Sequence, residues 1–133
     1  MPSVVLDTHA AVWYLAAHPS LSISARQAID GAQQPPYQVF VPTICLVELT
    51  YLIEKGKLHP EARARLISAI REGNSTFVEQ PLTLEVAEAV STVSRESVPD
   101  LPDRIIAATA VALGVPLISR DSKIRAAQLT TIW

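Results

Sequence analysis

Val4-Val5-Leu6-Asp7 and, far downstream, Val115-Pro116-Leu117-Ile118-Ser119-Arg120-Asp121 decide the reading of this chain. Each is a short apolar run that ends on an aspartate. Runs of this length with β-branched residues and turn residues at their borders read as buried strands. Parallel strands collect their carboxyl ends on one edge of a sheet, and open α/β sheets place their sites there. Two further acids stand at loaded positions: Glu48 inside a helix and Asp103 at the opening of another. Carboxylates crowded together repel one another, so such a group is costly unless a cation holds it. The pattern points to a divalent metal and to phosphate chemistry.

Glu48 carries the most weight. With Thr43–Lys55 as a helix stopped by Gly56, a rotation of about 100° per residue puts Ile44, Val47, Tyr51 and Leu52 on one arc. Glu48 then lies in the middle of that arc. A lone ionised Glu facing a core is expensive. The competing account is a Glu at the core's edge that reaches water or an arginine. For the aspartates the competing account is helix capping, because a carboxylate oxygen accepts the free N–H groups of a first turn. Asp7 would cap a helix from Thr8, Asp103 the helix Arg104–Leu113, and Asp121 a helix Ser122–Gln128. The joint pattern favours a site: all three caps on one side of one sheet, beside an inward Glu.

Working outward, strands are expected at Ser3–Leu6, Tyr37–Val41, Thr76–Val78, Pro116–Ser119 and Thr130–Trp133. Helices are expected at Thr8–Ala17, from Ser22 or Ser24 to Ala32, at Thr43–Lys55, His59–Glu72, Thr83–Ser94, Asp103–Leu113 and Ser122–Gln128. Residues 97–102, with two prolines, read as a loop. This alternation predicts an α/β fold with a mostly parallel sheet covered on both faces. There is no internal repeat, and residues 1–133 read as a single domain.

The composition narrows the function. Charged residues are 18% and hydrophobic ones 49%, which argues against disorder. No apolar run approaches a membrane span and no basic leader precedes one, so a cytoplasmic protein is expected. The single cysteine, Cys45, excludes an internal disulfide, and His9, His18 and His59 are too scattered for a zinc site. Four glycines, none in a phosphate-loop spacing, argue against familiar nucleotide binding. The net charge is −2. If four acids serve a metal centre, the remaining surface is about +2, and nucleic-acid contacts fall to local patches such as Arg120, Lys123 and Arg125, or Lys55 and Lys57.

Four segments resemble those of PIN-domain proteins: Val5-Leu6-Asp7-Thr8-His9-Ala10 with Trp13, Val47-Glu48-Leu49, Asp103-Arg104-Ile105-Ile106-Ala107-Ala108-Thr109-Ala110, and Leu117-Ile118-Ser119-Arg120-Asp121. They are spread over almost the whole chain, in the family's order. The chain most resembles the ribonuclease toxins of VapBC-type toxin–antitoxin pairs. The resemblance implies a three-layer α/β/α fold with a five-stranded parallel sheet. It implies a metal-dependent endoribonuclease using Mg²⁺ or Mn²⁺, with Asp7, Glu48, Asp103 and Asp121 as ligands and catalytic acids. Thr8 and Ser119 match small polar positions beside those acids, and Asp100 resembles an upstream acid of some members. It also implies a homodimer and a small antitoxin that blocks the active site. Arg120 and Lys123, flanking Asp121, are the candidates for RNA contacts.

Three alternatives stand beside it. A haloacid-dehalogenase-like phosphatase needs a second Asp two residues after the first, where this chain has His9. A non-catalytic PIN-like scaffold would have lost its acids, and all four are present. A PIN-like RNA-processing nuclease without an antitoxin differs only in its partners.

Overall fold

The computed structural model describes residues 2–72, 76–127 and 129–133. Five strands form one sheet: β1 (Val4–Leu6), β2 (Val39–Pro42), β3 (Phe77–Gln80), β4 (Leu117–Ile118) and β5 (Thr131–Ile132). Their order is β3-β2-β1-β4-β5 and every pairing is parallel. The helices are α1 (Thr8–Leu15), α2 (Ile23–Ala32), α3 (Thr43–Glu54), α4 (Glu61–Arg71), α5 (Leu84–Ala89), α6 (Leu101–Leu113) and α7 (Ser122–Ala126). Val4, Val5 and Leu6 are all fully buried. Successive strand side chains point to opposite faces, so burial of all three requires a layer on each side of the sheet. Leu117 and Ile118 of β4 are equally buried. The result is the expected three-layer α/β/α arrangement.

The strand order positions the site. The chain builds the sheet in one direction from β1 through β2 to β3, then returns to β1's other side for β4 and β5. The reversal falls between β1 and β4. A crevice opens at such a switch point, outside the carboxyl ends of the strands. Asp7 directly follows β1, and its N–H donates to the Ile118 carbonyl of β4 at 3.1 Å. Ser119 and Asp121 follow β4. Both apolar runs therefore deliver their terminal polar residues to this crevice.

Local sequence explains most helix ends. Asp7, Ser22, Thr83 and Asp121 cap α1, α2, α5 and α7 through side-chain oxygens. Gly56 and Gly114, with φ of 71° and 66°, take the left-handed conformation that closes α3 and α6. After α3, Gly56 N–H returns to the Ile53 carbonyl and Lys57 N–H to that of Leu52. Paired bonds of this kind satisfy the last free carbonyls of a helix.

Several boundaries differ from expectation. The helix expected from Asp103 starts earlier, at Leu101, with Asp100 as its cap; Asp100 Oδ1 accepts the Asp103 N–H at 3.1 Å. Pro102 occupies the first turn, where a missing N–H costs nothing, so it does not mark a loop. The helix expected at 83–94 is only α5, followed by a 3-10 turn at Val90–Thr92. Arg104 secures that turn by donating to the carbonyls of Val90 and Val93. α4 begins at Glu61 rather than His59, because Pro60 takes the capping position. The expected end of the last helix at Gln128 lies outside the described residues.

The inward face of α3 also differs. Cys45 and Leu49 are fully buried, whereas Val47 and Tyr51 are 51% and 61% exposed. The Cys45 thiol points at the Leu6 carbonyl, 3.7 Å away, which seats α3 against the end of β1. Glu48 sits at the border of this buried face rather than at its centre. Because Leu49 holds α3 in register, Leu49→Ala is expected to cost about 2–5 kcal/mol, the range for deleting a fully buried leucine side chain. Urea denaturation would show this as a lower midpoint with an unchanged slope. A loss under about 1 kcal/mol, well below that range, would mean that α3 is not anchored through this residue.

Candidate active site at the sheet switch point

One cavity of about 330 Å³ lies at the switch point. Its lining includes Asp7, Glu48, Asp103 and Asp121, with Thr8, His9, Trp13, Arg120 and Trp133. The four sequence-derived acids therefore meet, although they come from the ends of β1 and β4 and from α3 and α6. Glu48, Asp100 and Asp103 form a closer group, each offering a carboxylate oxygen within 4.8 Å of the others.

Capping and site-lining turn out to be compatible for two of the aspartates. Asp7 Oδ1 accepts the Ala10 N–H at 2.8 Å, and Asp121 Oδ1 accepts the Lys123 N–H at 2.8 Å. Each bond engages one oxygen and fixes the carboxylate in place. Asp103 is not a cap. It stands in the first turn of α6, where the positive end of the helix dipole favours an acid.

Two buried hydroxyls orient the acids. Thr8 donates to the Glu48 carboxylate, tying the start of α1 to α3. Ser119 hydrogen-bonds Asp7 and accepts the Asp121 N–H at 3.1 Å, so it links both strand-end aspartates. Both hydroxyls belong to residues that are almost wholly buried.

The electrostatics are unbalanced. Burial raises the pKa of the Asp7 carboxyl, against the Ser119 and Ala10 hydrogen bonds and the nearby His9, which lower it. Asp103 is pushed up to about 7, first by burial and then by the charges of Asp100, Glu48, Asp121 and Asp7. Among the described residues the ion pair present is Arg65 with Glu61, within α4 and away from the cavity. Arg120 lines the cavity, but its guanidinium lies over the Trp13 ring, 4.7 Å from the centroid. Among the described residues, then, no lysine or arginine forms an ion pair with the acids. Burial raises the pKa of the Cys45 thiol, with smaller contributions from the same acids, so it stays protonated and is no ligand. The close group offers oxygen alone, which suits a hard divalent cation and not zinc held by sulfur or imidazole.

Some site features were not read in the sequence. His9, Trp13 and Trp133 line the cavity. Residues 9 and 13 lie four apart, one turn along the same face of α1, and that spacing was available as a signal. Trp133 gave none, because its placement depends on β5 pairing beside β4. Asp100 joins the acids because α6 starts before Pro102. Lys123 is exposed on α7 and does not line the cavity, whereas Arg120 does.

A parallel α/β/α domain with carboxylates converging on its switch point is compatible with holding a divalent cation there. The PIN domain model matches residues 4–128, and the chain belongs to the PIN-domain family. It is 28% identical to Ribonuclease VapC22 of Mycobacterium tuberculosis over 136 residues, covering all of both chains. Its fold is similar to that of VapBC2 from Rickettsia felis bound to a promoter DNA fragment (TM-score 0.69, 17% identity, 96% of each chain). It is also similar to a toxin–antitoxin complex from Klebsiella pneumoniae (TM-score 0.60, 27% identity, 93% of this chain and 91% of the other).

Proposed function

We propose that this protein is a divalent-metal-dependent endoribonuclease and the toxin of a type II toxin–antitoxin pair. The observation that carries the proposal is the convergence of Asp7, Glu48, Asp103 and Asp121 on one cavity, with no lysine or arginine paired to them among the described residues. End-to-end similarity to Ribonuclease VapC22 supports the activity, and similarity to the Klebsiella complex supports an antitoxin partner.

Glu48, Asp100 and Asp103 offer oxygens close enough together to hold Mg²⁺ or Mn²⁺, and Asp7, which lines the same cavity outside that closer group, would complete the site. When bound, such an ion polarises the scissile phosphodiester and makes water a competent nucleophile at neutral pH. Thr8 and Ser119 keep Glu48 and Asp7 in fixed orientations, so little rearrangement accompanies substrate binding. Asp121, which lines the same cavity, would act through water or a second ion. The protein works in the cytoplasm as a homodimer. A small antitoxin blocks the cavity, sending a basic side chain towards the acids. Exposed apolar residues are available to such partners, whereas some apolar residues of α1 and α3 are not. Tyr14, Leu15 and Ile53 are partly buried, and Tyr14 bonds Asp30. Val47, Tyr51, Leu82, Leu84 and Leu101 are among the exposed ones.

The direct experiment is cleavage of cellular RNA by the purified chain. Activity should vanish with EDTA and return with Mg²⁺ or Mn²⁺. Metal-independent cleavage, or none under any condition, would overturn the reading. Arg120 is the candidate phosphate contact that lines the cavity. Binding to single-stranded RNA should weaken uniformly across sequences in an Arg120→Ala, Lys123→Ala double variant. Its log–log salt slope should flatten by about 0.7 for each phosphate no longer engaged. Because Arg120 lines the cavity, most of the change should appear in Arg120→Ala alone. An unchanged slope would move the RNA path elsewhere, with Lys55 and Lys57 next to test.

A further inference from the structure

The cavity has a second wall that metal chemistry does not use. Trp13 is the hub of a ring cluster on the β4–β5 side of the site. His9 lies 5.2 Å from it, His18 stacks at 5.7 Å and 22°, and Trp133 tilts against it at 5.9 Å and 59°. Arg120 covers the Trp13 ring. Trp133 differs from Trp13. Among the described residues its ring meets that of Trp13 alone, it is only partly buried, and it lines the cavity.

The cavity is therefore bipartite. Carboxylates supply its polar part, an aromatic ledge the other, and Arg120 belongs to both. A nucleotide in single-stranded RNA has the same division, with a charged phosphodiester and a flat base. Aromatic rings take unpaired bases by stacking, without needing a particular hydrogen-bond pattern. Stacking on neighbours within a duplex would withhold the face of a base. We propose that Trp133, braced by Trp13, is a stacking subsite for one unpaired base next to the scissile phosphate. This rests on the nuclease reading above. Substrate choice then turns partly on whether a base is free to leave its stack, and less on its identity.

Both tryptophans of the chain line this cavity. Intrinsic tryptophan emission thus reports on the ledge with no other source. The probe is a single-stranded RNA octamer, titrated with Ca²⁺ in place of Mg²⁺ to prevent cleavage. In companion octamers each base in turn is replaced by an abasic site. Binding should quench the emission. One abasic position should raise Kd about tenfold, within the range for loss of one base–aromatic stack. In Trp133→Leu that penalty should disappear, with every octamer binding as weakly as the abasic one. Trp133→Phe should keep much of it and guards against a variant that fails to fold.

Unchanged emission on saturation, or no sensitive abasic position in the wild type, would overturn the subsite. So would an abasic penalty that persists in Trp133→Leu. In those cases RNA cleavage by the wild type with Mg²⁺ would leave the nuclease reading intact. An octamer that neither binds nor is cleaved would overturn both.

Discussion

Asp7→Asn is expected to lower RNA cleavage by at least about a hundredfold, the scale for removing one electrostatic contributor to a reacting phosphate or carbonyl centre. The fold should be unharmed. Asn is as good a helix cap as Asp, so the Ala10 N–H keeps its acceptor. The Ser119 hydroxyl still finds an oxygen or donor to bond. What the substitution removes is a negative charge that burial already disfavours. Without metal, the variant should therefore melt at the same temperature as the wild type or higher. The two readouts separate the two roles of this residue. A capping aspartate would tolerate Asn with full activity, and that result would remove Asp7 from the ligand set. Lost activity with a much lower melting point would instead mean that the charge supports the fold, against the burial argument. Metal titration adds a third readout: the rise in melting temperature on adding Mg²⁺ should shrink in Asp7→Asn, since a ligand that binds only the native state stabilises by its affinity.

The parts of this site that could be read in the sequence are those fixed by local rules. A strand, a capping aspartate and a helix start follow one another within residues 4–10, and distant packing does not change their order. The same holds for residues 117–122. Glu48 depends on more than periodicity. Helix α3 carries apolar residues on nearly all sides, so several arcs of it look buried, and the one containing Val47 and Tyr51 is the exposed one. Glu48 reaches the site for another reason: Cys45 and Leu49 seat the helix so that position 48 borders the core near Thr8. The place of Asp100 was obscured by Pro102, which reads as a loop signal in sequence yet is harmless in a first helical turn. Of the aromatic ledge, the spacing of His9 and Trp13 on α1 was readable, but the place of Trp133 was not. That place needs the order β1-β4-β5, which depends on which strand the chain returns to after β3, and this is a property of the whole sheet.

The second large effect concerns Asp103 and pH. Its carboxyl titrates at about 7 in the folded protein, against 3.8 for an unperturbed aspartate. Between those values the native state holds a proton that the unfolded chain has released. The stability that this group leaves to the fold is therefore greatest below 3.8, declines as pH rises, and is lowest above 7. Asp7, also raised, acts in the same direction. The metal-free protein should melt several degrees lower at about pH 8 than at about pH 5, on either side of most of that titration. Saturating Mg²⁺ should largely cancel the decline, because the cation takes the place of the missing proton and binds better as the acids ionise. Asp103→Asn has no proton to lose there, so its metal-free melting temperature should be much flatter over the same interval. Calorimetry in EDTA and in Mg²⁺ at a series of pH values tests all three expectations. A metal-free wild type with no decline, or a decline of equal size in Asp103→Asn, would mean that burial and the neighbouring carboxylates do not raise Asp103 as its position requires. A decline that Mg²⁺ leaves untouched would show that Asp103 is disfavoured as an anion there without the acids forming a place for the ion.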